Sequence, residues 1–570
     1  MSQARKYSLF WAALGGLLFL PGLGQVHLFD WDEINFAEIS REMLVLEDYL
    51  RVYVNFEPFW EKPPMFFWLQ ALSMKVFGVN EFAARFPNAV CGIFTLVLLY
   101  RMGRFLRGHR FGMLWAGAYL GSILPHLYFR SGIIDPWFNL FIFLGLSGLI
   151  AFSWLREKSF DLPLKGKNRY LIGGGLFLGL AVLVKGPAAL VIVGLTGLIY
   201  WAFRRFYLFV SIPQAVLYLL VALLPPLIWL GVETWSNGPG FASAFTRYQY
   251  RLFTTSDAGH AGFPAYHFVV LLFGCFPSSI LAIKALGARH LENNRDRDAW
   301  MWMLILLAVV LILFSIVQSK IVHYSSMCYF PLTYLAAVSG HHIMGRRLNW
   351  SAWMSGLLLF IGGLASLVCL AAPFVGRHPE WLRPLLSKDE FALGNLEAEV
   401  YWSWWTLIPG FLLLGLVLVA YRNLRSGQFP RAFSYLYAGT AAFMFLGLSF
   451  FIGRIERYSQ GAAIDFYKQL AGEDAYVMTY GFKSYAHIFY FKKPLPGDFG
   501  QVSASDIDEM SFQQLRSSNP DWLLHGDIDK DVYIVTKITK ADQLLNIPEV
   551  VEISRSNGFV FCKRTASKQG

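Results

Sequence analysis

The chain has 570 residues, of which 55% are hydrophobic and only 15% charged, with a mean hydropathy of +0.44. Soluble domains carry about 25% charge, so this composition excludes an ordinary soluble enzyme, and apolar runs long enough to cross a ~30 Å hydrocarbon core recur throughout. The net charge of +11 does not indicate nucleic acid, because Lys and Arg cluster in short loops between apolar runs, where a topology signal places them.

Only helices or closed barrels span lipid, and the long unalternated runs exclude a barrel. The five cysteines are Cys91, Cys275, Cys328, Cys369 and Cys562; four lie in apolar runs and none forms a CxxC pair. They indicate neither a disulfide framework nor a zinc ribbon.

In chain order, Arg5 and Lys6 precede a first span over 7–26, uncleaved and with its amino terminus inside. Residues 30–78 follow. From Asp30 to Lys62 they hold nine carboxylates (Asp30, Asp32, Glu33, Glu38, Glu42, Glu47, Asp48, Glu57, Glu61) against three cations (Arg41, Arg51, Lys62). A loop between spans needs no such density of acid beside aromatic surface, and it reads as an active-site loop.

Further spans are predicted over 83–100, 111–127, 134–154, 170–184, 188–203, 209–231, 266–286, 300–317, 323–338, 351–373, 402–421 and 432–452. With the first they make thirteen. The basic short loops then face the cytoplasm, and the acidic first loop, 232–264 and 374–400 share the outer face. From residue 453 the composition changes. DAYVMTYG, DWLLHG and VYIVTK read as strands, 505–515 and 541–547 as helices, and SNGFVFCKR as a last turn and strand. The expected organisation is a transmembrane catalytic domain over 1–452, its first outer loop (27–82) carrying interfacial helices, and a soluble α/β domain over 453–570 on the outer side. A lid, an acceptor-docking surface or simple packing would each suit that domain.

The outer face carries the candidate chemistry. Residues 33–46 have helical apolar spacing (Ile34, Ile39, Met43, Leu46), which predicts a helix lying in the interface plane. Asp32 would be its N-cap or, facing a cavity, a general base. In Glu61-Lys62-Pro63-Pro64 the prolines fix a turn and start the next helix. Lys62 there is either a phosphate-binding point charge or half of a Glu–Lys pair reaching for headgroups. Asp135-Pro136 opens the fourth span, as a cap or as an acid. Arg130, Arg247, Arg251, Asp257, His260, His267, Lys320, His323 and Tyr324 lie on the same face. A cavity collecting Lys62, Arg247 or Arg251, and Lys320 could hold a lipid-linked phosphate.

DEINFAEISREML, then FWEKPPMFFWLQALSMKVFGVNEFAARFPNAV, with KGP between spans five and six and SKIVHYSSMCYFPL opening span ten, resembles the membrane glycosyltransferases of GT-C fold. The match is to the branch of lipid A aminoarabinose transferases and protein O-mannosyltransferase-like enzymes, and is most specific over 30–90. The resemblance implies transfer of a sugar, with inversion, from a polyprenyl-phosphate carrier to a lipid or protein acceptor on the outer face of the bacterial inner membrane. It implies Asp32 as catalytic carboxylate, with Asp135 as the second acidic position. It assigns Lys62 to the donor phosphate, Lys320 and Tyr324 to the carrier-lipid cavity, and Glu33 and Arg85 to support of the loop. It also implies a divalent metal in some members, for which Glu61 and His260 are the candidate ligands. The rival from another class is a polytopic transporter or lipid flippase; internal repeats and broken spans with midplane polar residues would indicate one, and no repeat is present.

Overall fold

A computed structural model describes residues 3–157, 166–254, 262–287, 294–317, 320–497 and 515–566. Helix occupies all thirteen predicted apolar runs. The chain begins with α1 (Gln3–Phe19), α2 (Asp32–Leu46), the two-residue strands β1 (Tyr53–Val54) and β2 (Glu57–Pro58), α3 (Met65–Phe77) and α4 (Glu81–Arg107). Next come α5 (His109–Leu120), α6 (Ile123–Tyr128), α7 (Asp135–Arg156), α8 (Lys167–Lys185), α9 (Ala188–Phe203), α10 (Ile212–Asn237) and α11 (Gly240–Thr254). After these lie α12 (Tyr266–Gly274), α13 (Ser278–Leu286), α14 (Asn294–Ile316), α15 (Tyr329–Met344), α16 (Ala352–Arg377), α17 (Glu390–Asn395), α18 (Ile408–Arg425) and α19 (Phe429–Arg457). Among the described residues, eight helices are long and apolar enough to cross a membrane.

Two predicted spans are broken. Residues 111–127 divide into α5 and α6, because Ser122 is extended and Pro125 has no N–H to continue the helical ladder. Residues 266–286 divide into α12 and α13 at Pro277 for the same reason. The segment expected as a polar loop over 232–264 is in part helical: α10 runs on to Asn237, and α11 follows.

The carboxyl-terminal region adds α20 (Gly461–Gln469), β3 (Tyr476–Tyr480), α21 (Ala486–Phe491), α22 (Pro520–His525), β4 (Val532–Lys537), α23 (Ala541–Leu545), β5 (Val550–Ser556) and β6 (Phe559–Arg564). The sheet order is β3-β4-β6-β5, with β3 parallel to β4 and the other pairs antiparallel. DWLLH forms α22 and not a strand, because the Asn519 side chain accepts from the amides of Asp521 and Trp522 and Pro520 opens the helix. The helix expected over 505–515 lies, but for Leu515, outside the described residues.

This region has its own core, around Leu523, Ile534, Leu544 and Val560. A second core is shared with the first loop: Leu28, Ile34, Ala37, Met74 and Ala84 pack with Ile464, Tyr467, Phe489, Tyr490 and Phe561. That shared core changes the expected place of α2. Its residues from Glu33 to Met43 are all buried, so it is enclosed by α3 and the carboxyl-terminal region and does not present a polar face to water.

Candidate active site

Two antiparallel helices bring the first pair of charges together. Between α7 and α8, Gly148 and Gly174 meet so closely that a Cβ on Gly148 would lie 2.6 Å from the Gly174 Cα. Small residues let helices in lipid approach at van der Waals distance. This hairpin sets the start of α7 beside the end of α8, and Lys185 Nζ donates to Asp135 Oδ1 at 2.7 Å. Gly186, at φ +95°, ends α8 with its amide on the Val182 carbonyl, and Pro187 leads into α9. The KGP motif is thus a helix stop that delivers Lys185.

The first loop is held by a buried clamp. Arg85 Nε and Nη2 donate to the two oxygens of Glu33 at 2.9 and 2.8 Å, and the same guanidinium donates to the carbonyls of Leu23, Val26 and His27. Glu33 also accepts from the amides of Phe29 and Gly132. Burial alone would raise the Glu33 pKa; Arg85 and the two amides bring it below the ordinary value. Gln70, fully buried, ties the same region together by donating to the Ala84 carbonyl. This clamp places Asp32, the residue before Glu33.

Neither acidic residue is an N-cap. Asp32 and Asp135 are each the first residue of their helix, the cap positions fall on Trp31 and Ile134, and neither cap side chain makes a capping bond. The Asp32 side chain is 36% exposed and its Oδ2 faces His323 Nε2 at 3.8 Å. His323 is set by a short chain of contacts: Asn139, one turn into α7, donates to Ser326 Oγ, which donates to the His323 carbonyl.

Lys62 completes the cluster. Its Nζ lies 3.8 Å from Glu61 Oε2, and Pro64 precedes α3. The ammonium stands in the combined field of Glu61, Lys185, Asp32 and Asp135; burial, with Lys185 adding to it, holds its pKa below the ordinary lysine range against the pull of the three carboxylates. The Lys185 ammonium lies 5.6 Å over the Tyr324 ring and 5.7 Å over that of Phe138. Asp32, Lys62, Asp135, Lys185, His323 and Tyr324 therefore share one neighbourhood, and His323 senses the charges of Asp135, Lys185, Asp32 and Lys62 together. Such a set can take a proton, hold a phosphate and orient a leaving group.

Other predicted cations make different contacts. Lys320 donates to the carbonyls of Phe314, Ser315 and Val317 and so caps the end of α14. Arg130 does the same for α1, through Leu18 and Pro21. Arg247 is exposed on α11, and Arg251 lies over the Tyr248 ring of that helix. His260 and Asp257 fall outside the described residues. Among the described residues no three His, Cys, Asp or Glu side chains gather as a metal site, and Glu61 stands beside Lys62. Of the two candidate metal ligands, only Glu61 lies among the described residues.

Three contributors were missed by the sequence reading of single residues. Lys185 had its signal in KGP. Lys483 and Tyr485 had none, because they come from the carboxyl-terminal region. There Asp30 binds the Ser484 hydroxyl and lies 3.4 Å from the Tyr485 amide, while the Tyr485 ring meets Trp31 edge-on at 5.4 Å.

The family described as dolichyl-phosphate-mannose-protein mannosyltransferase matches residues 61–229. An undecaprenyl phosphate-α-4-amino-4-deoxy-L-arabinose arabinosyl transferase of Photorhabdus laumondii is 24% identical over 98% of both chains. One from Pseudomonas aeruginosa is 27% identical over 69% of both. In structure, ArnT from Cupriavidus metallidurans bound to undecaprenyl phosphate superposes with a TM-score of 0.75 over 99% of both chains, at 20% identity. The chain has the GT-C fold, and over its whole length it resembles the aminoarabinose transferases built on it.

Proposed function

We propose that this protein is an inverting glycosyltransferase that moves a sugar from a polyprenyl-phosphate donor to an acceptor on the outer face of the bacterial inner membrane. The observation that carries the reading is the convergence of Asp32, Lys62, Asp135, Lys185 and His323 at the ends of five separate segments. The full-length relatives are transferases, which favours this reading over a transporter. Thirteen spans, with the amino terminus inside and the carboxyl-terminal region outside, agree with the basic short loops. Exposed Trp235, Trp404 and Trp405 suit the interfacial belt of the outer leaflet. A lipid A-like lipid is the acceptor favoured by the relatives' names, with a protein acceptor as the alternative.

The chemistry is a single displacement at the anomeric carbon. The acceptor oxygen bonds to that carbon as the bond from carbon to the carrier phosphate oxygen breaks. Asp32 takes the proton of an acceptor hydroxyl, or orients an acceptor that is already an anionic phosphate. Lys62, with Lys185 held at its side by Asp135, stabilises the departing polyprenyl phosphate. That group leaves as an anion, so no general acid is required. Tyr324 lines the carrier side, and Glu33 with Arg85 keeps Asp32 in place.

The test compares cells expressing wild type and Asp32→Asn at equal levels, with mass spectrometry of polyprenyl-phosphate sugars and envelope glycoconjugates. Accumulation of one carrier-linked sugar, with loss of one glycoconjugate, is the expected outcome. Equal pools in both strains, in a background where the wild-type gene changes the envelope, would refute the assignment.

A further inference from the structure

The wall of the site formed by the carboxyl-terminal region has a use that the displacement itself requires. Inversion brings the acceptor in on the face opposite the departing phosphate. An anionic acceptor headgroup therefore cannot share the cation that holds the donor, and it needs one of its own. Lys62 and Lys185 are already engaged, the first beside Glu61 and the second on Asp135.

Lys483 is differently placed. It is exposed and belongs to no ion pair among the described residues. Its Nζ lies 4.6 Å over the ring of Trp31 and 5.7 Å over that of Tyr485. Trp31 directly precedes Asp32 and is 43% exposed. The segment 483–485 is pinned to the start of α2: the Ser484 hydroxyl donates to Asp30 and the Tyr485 ring packs edge-on against Trp31. Tyr485 is also close enough to the site for its phenol to be affected, after burial, by the charges of Glu61, Asp30 and Asp32. A cation held over two aromatic faces, with no carboxylate partner among the described residues, beside the catalytic carboxylate, is suited to a phosphate on a sugar headgroup, with the rings taking the sugar faces.

We infer that Lys483, Trp31 and Tyr485 form the acceptor subsite, and that Lys483 binds a phosphate of the acceptor headgroup. The inference rests on the transferase reading above, and makes the carboxyl-terminal region a source of acceptor recognition as well as packing.

Two measurements on the purified full-length protein in nanodiscs test it. In the first, binding of phosphorylated lipid A is followed without donor, for wild type, Lys483→Ala, Lys483→Arg and Trp31→Ala. Lys483→Ala should weaken binding about tenfold, the loss of one charge-assisted contact of about 1.4 kcal/mol. Lys483→Arg should restore most of it, and Trp31→Ala should weaken it several-fold. Binding of undecaprenyl phosphate should change less than twofold in Lys483→Ala. In the second, turnover with acceptor varied should show the Lys483→Ala loss in KM for the acceptor and little of it in kcat. Lipid A binding within twofold of wild type in Lys483→Ala, or an equal weakening of undecaprenyl phosphate, would overturn the inference. Wild-type protein that binds the lipid but transfers no sugar would count against the transferase reading instead, and the binding comparison would still decide the role of Lys483.

Discussion

Asp32 and Glu33 are adjacent carboxylates with opposite surroundings, and the contrast can be measured. Glu33 is 6% exposed. Its two oxygens receive two N–H groups of Arg85 and the amides of Phe29 and Gly132. Glu33→Gln removes the charge and turns an NH2 toward donors, so at least one of these bonds becomes a repulsion and the Arg85 guanidinium is left buried without its counter-ion. Breaking a buried pair in this way costs about 3–5 kcal/mol. Asp32, half-exposed and free of any capping bond, should tolerate Asp32→Asn structurally while losing about 10²–10⁴-fold in turnover, the range for a general base. The assay pairs thermal unfolding in detergent with sugar transfer from a purified carrier-linked donor. Glu33→Gln should unfold well below wild type, and Asp32→Asn should unfold with it but not turn over. An unfolding midpoint for Glu33→Gln equal to that of wild type would refute the clamp argument. The pH dependence has a definite sign. The folded pKa of Glu33 is lowered, so its stabilisation is fully present above the ordinary carboxylate value and is lost as pH falls through the folded value.

Asp30 should show the reverse sign. Burial raises its pKa to about 6, against the hydrogen bonds from Ser484 and Tyr485, so wild type should gain stability relative to Asp30→Asn as pH falls from 7 to 5; thermal melts of both proteins across that range check it. Lys62 must be protonated to hold phosphate, and its pKa is lowered. The kcat/KM for the donor should therefore fall on the alkaline side before an ordinary lysine would titrate, and Lys62→Arg should remove that limb from the pH–rate profile. Lys185→Met leaves Asp135 unpaired in a buried position and should cost about 3 kcal/mol of stability. Adding Asp135→Asn should recover most of the melting temperature but not the activity, which double-mutant melts and turnover would show together.

Several features of this protein follow from local sequence alone. Membrane residence follows from uninterrupted apolar length, because lipid offers no partner for an exposed backbone group. The Glu61-Lys62-Pro63-Pro64 turn was legible because proline restricts its own φ and starts helices, and α3 begins at Met65, where that chemistry puts it. The acid density of 30–78 identified the loop that carries Asp32. The motif resemblance singles out Asp32, Lys62 and Asp135, and all three lie in one neighbourhood.

Partner choice was not legible, because it depends on distances between segments far apart in the chain. Lys320 and Arg130 had the right residue type on the right face, but each lies within reach of helix-end carbonyls and is consumed there. Lys185 looked like a loop cation until the glycine contact between α7 and α8 set it against Asp135. Asp32 could be read as a cap because the start of a helix cannot be located to one residue from periodicity; the structure moves the cap to Trp31. The helix α2 has an apolar stripe suited to an interface, yet it is enclosed, because a region more than 400 residues later packs Tyr490 and Ile464 against it. Sequence determines which side chains are available and which segments must enter the membrane. Only tertiary packing decides which charge neutralises which, since that follows from distances and burial that no local pattern encodes.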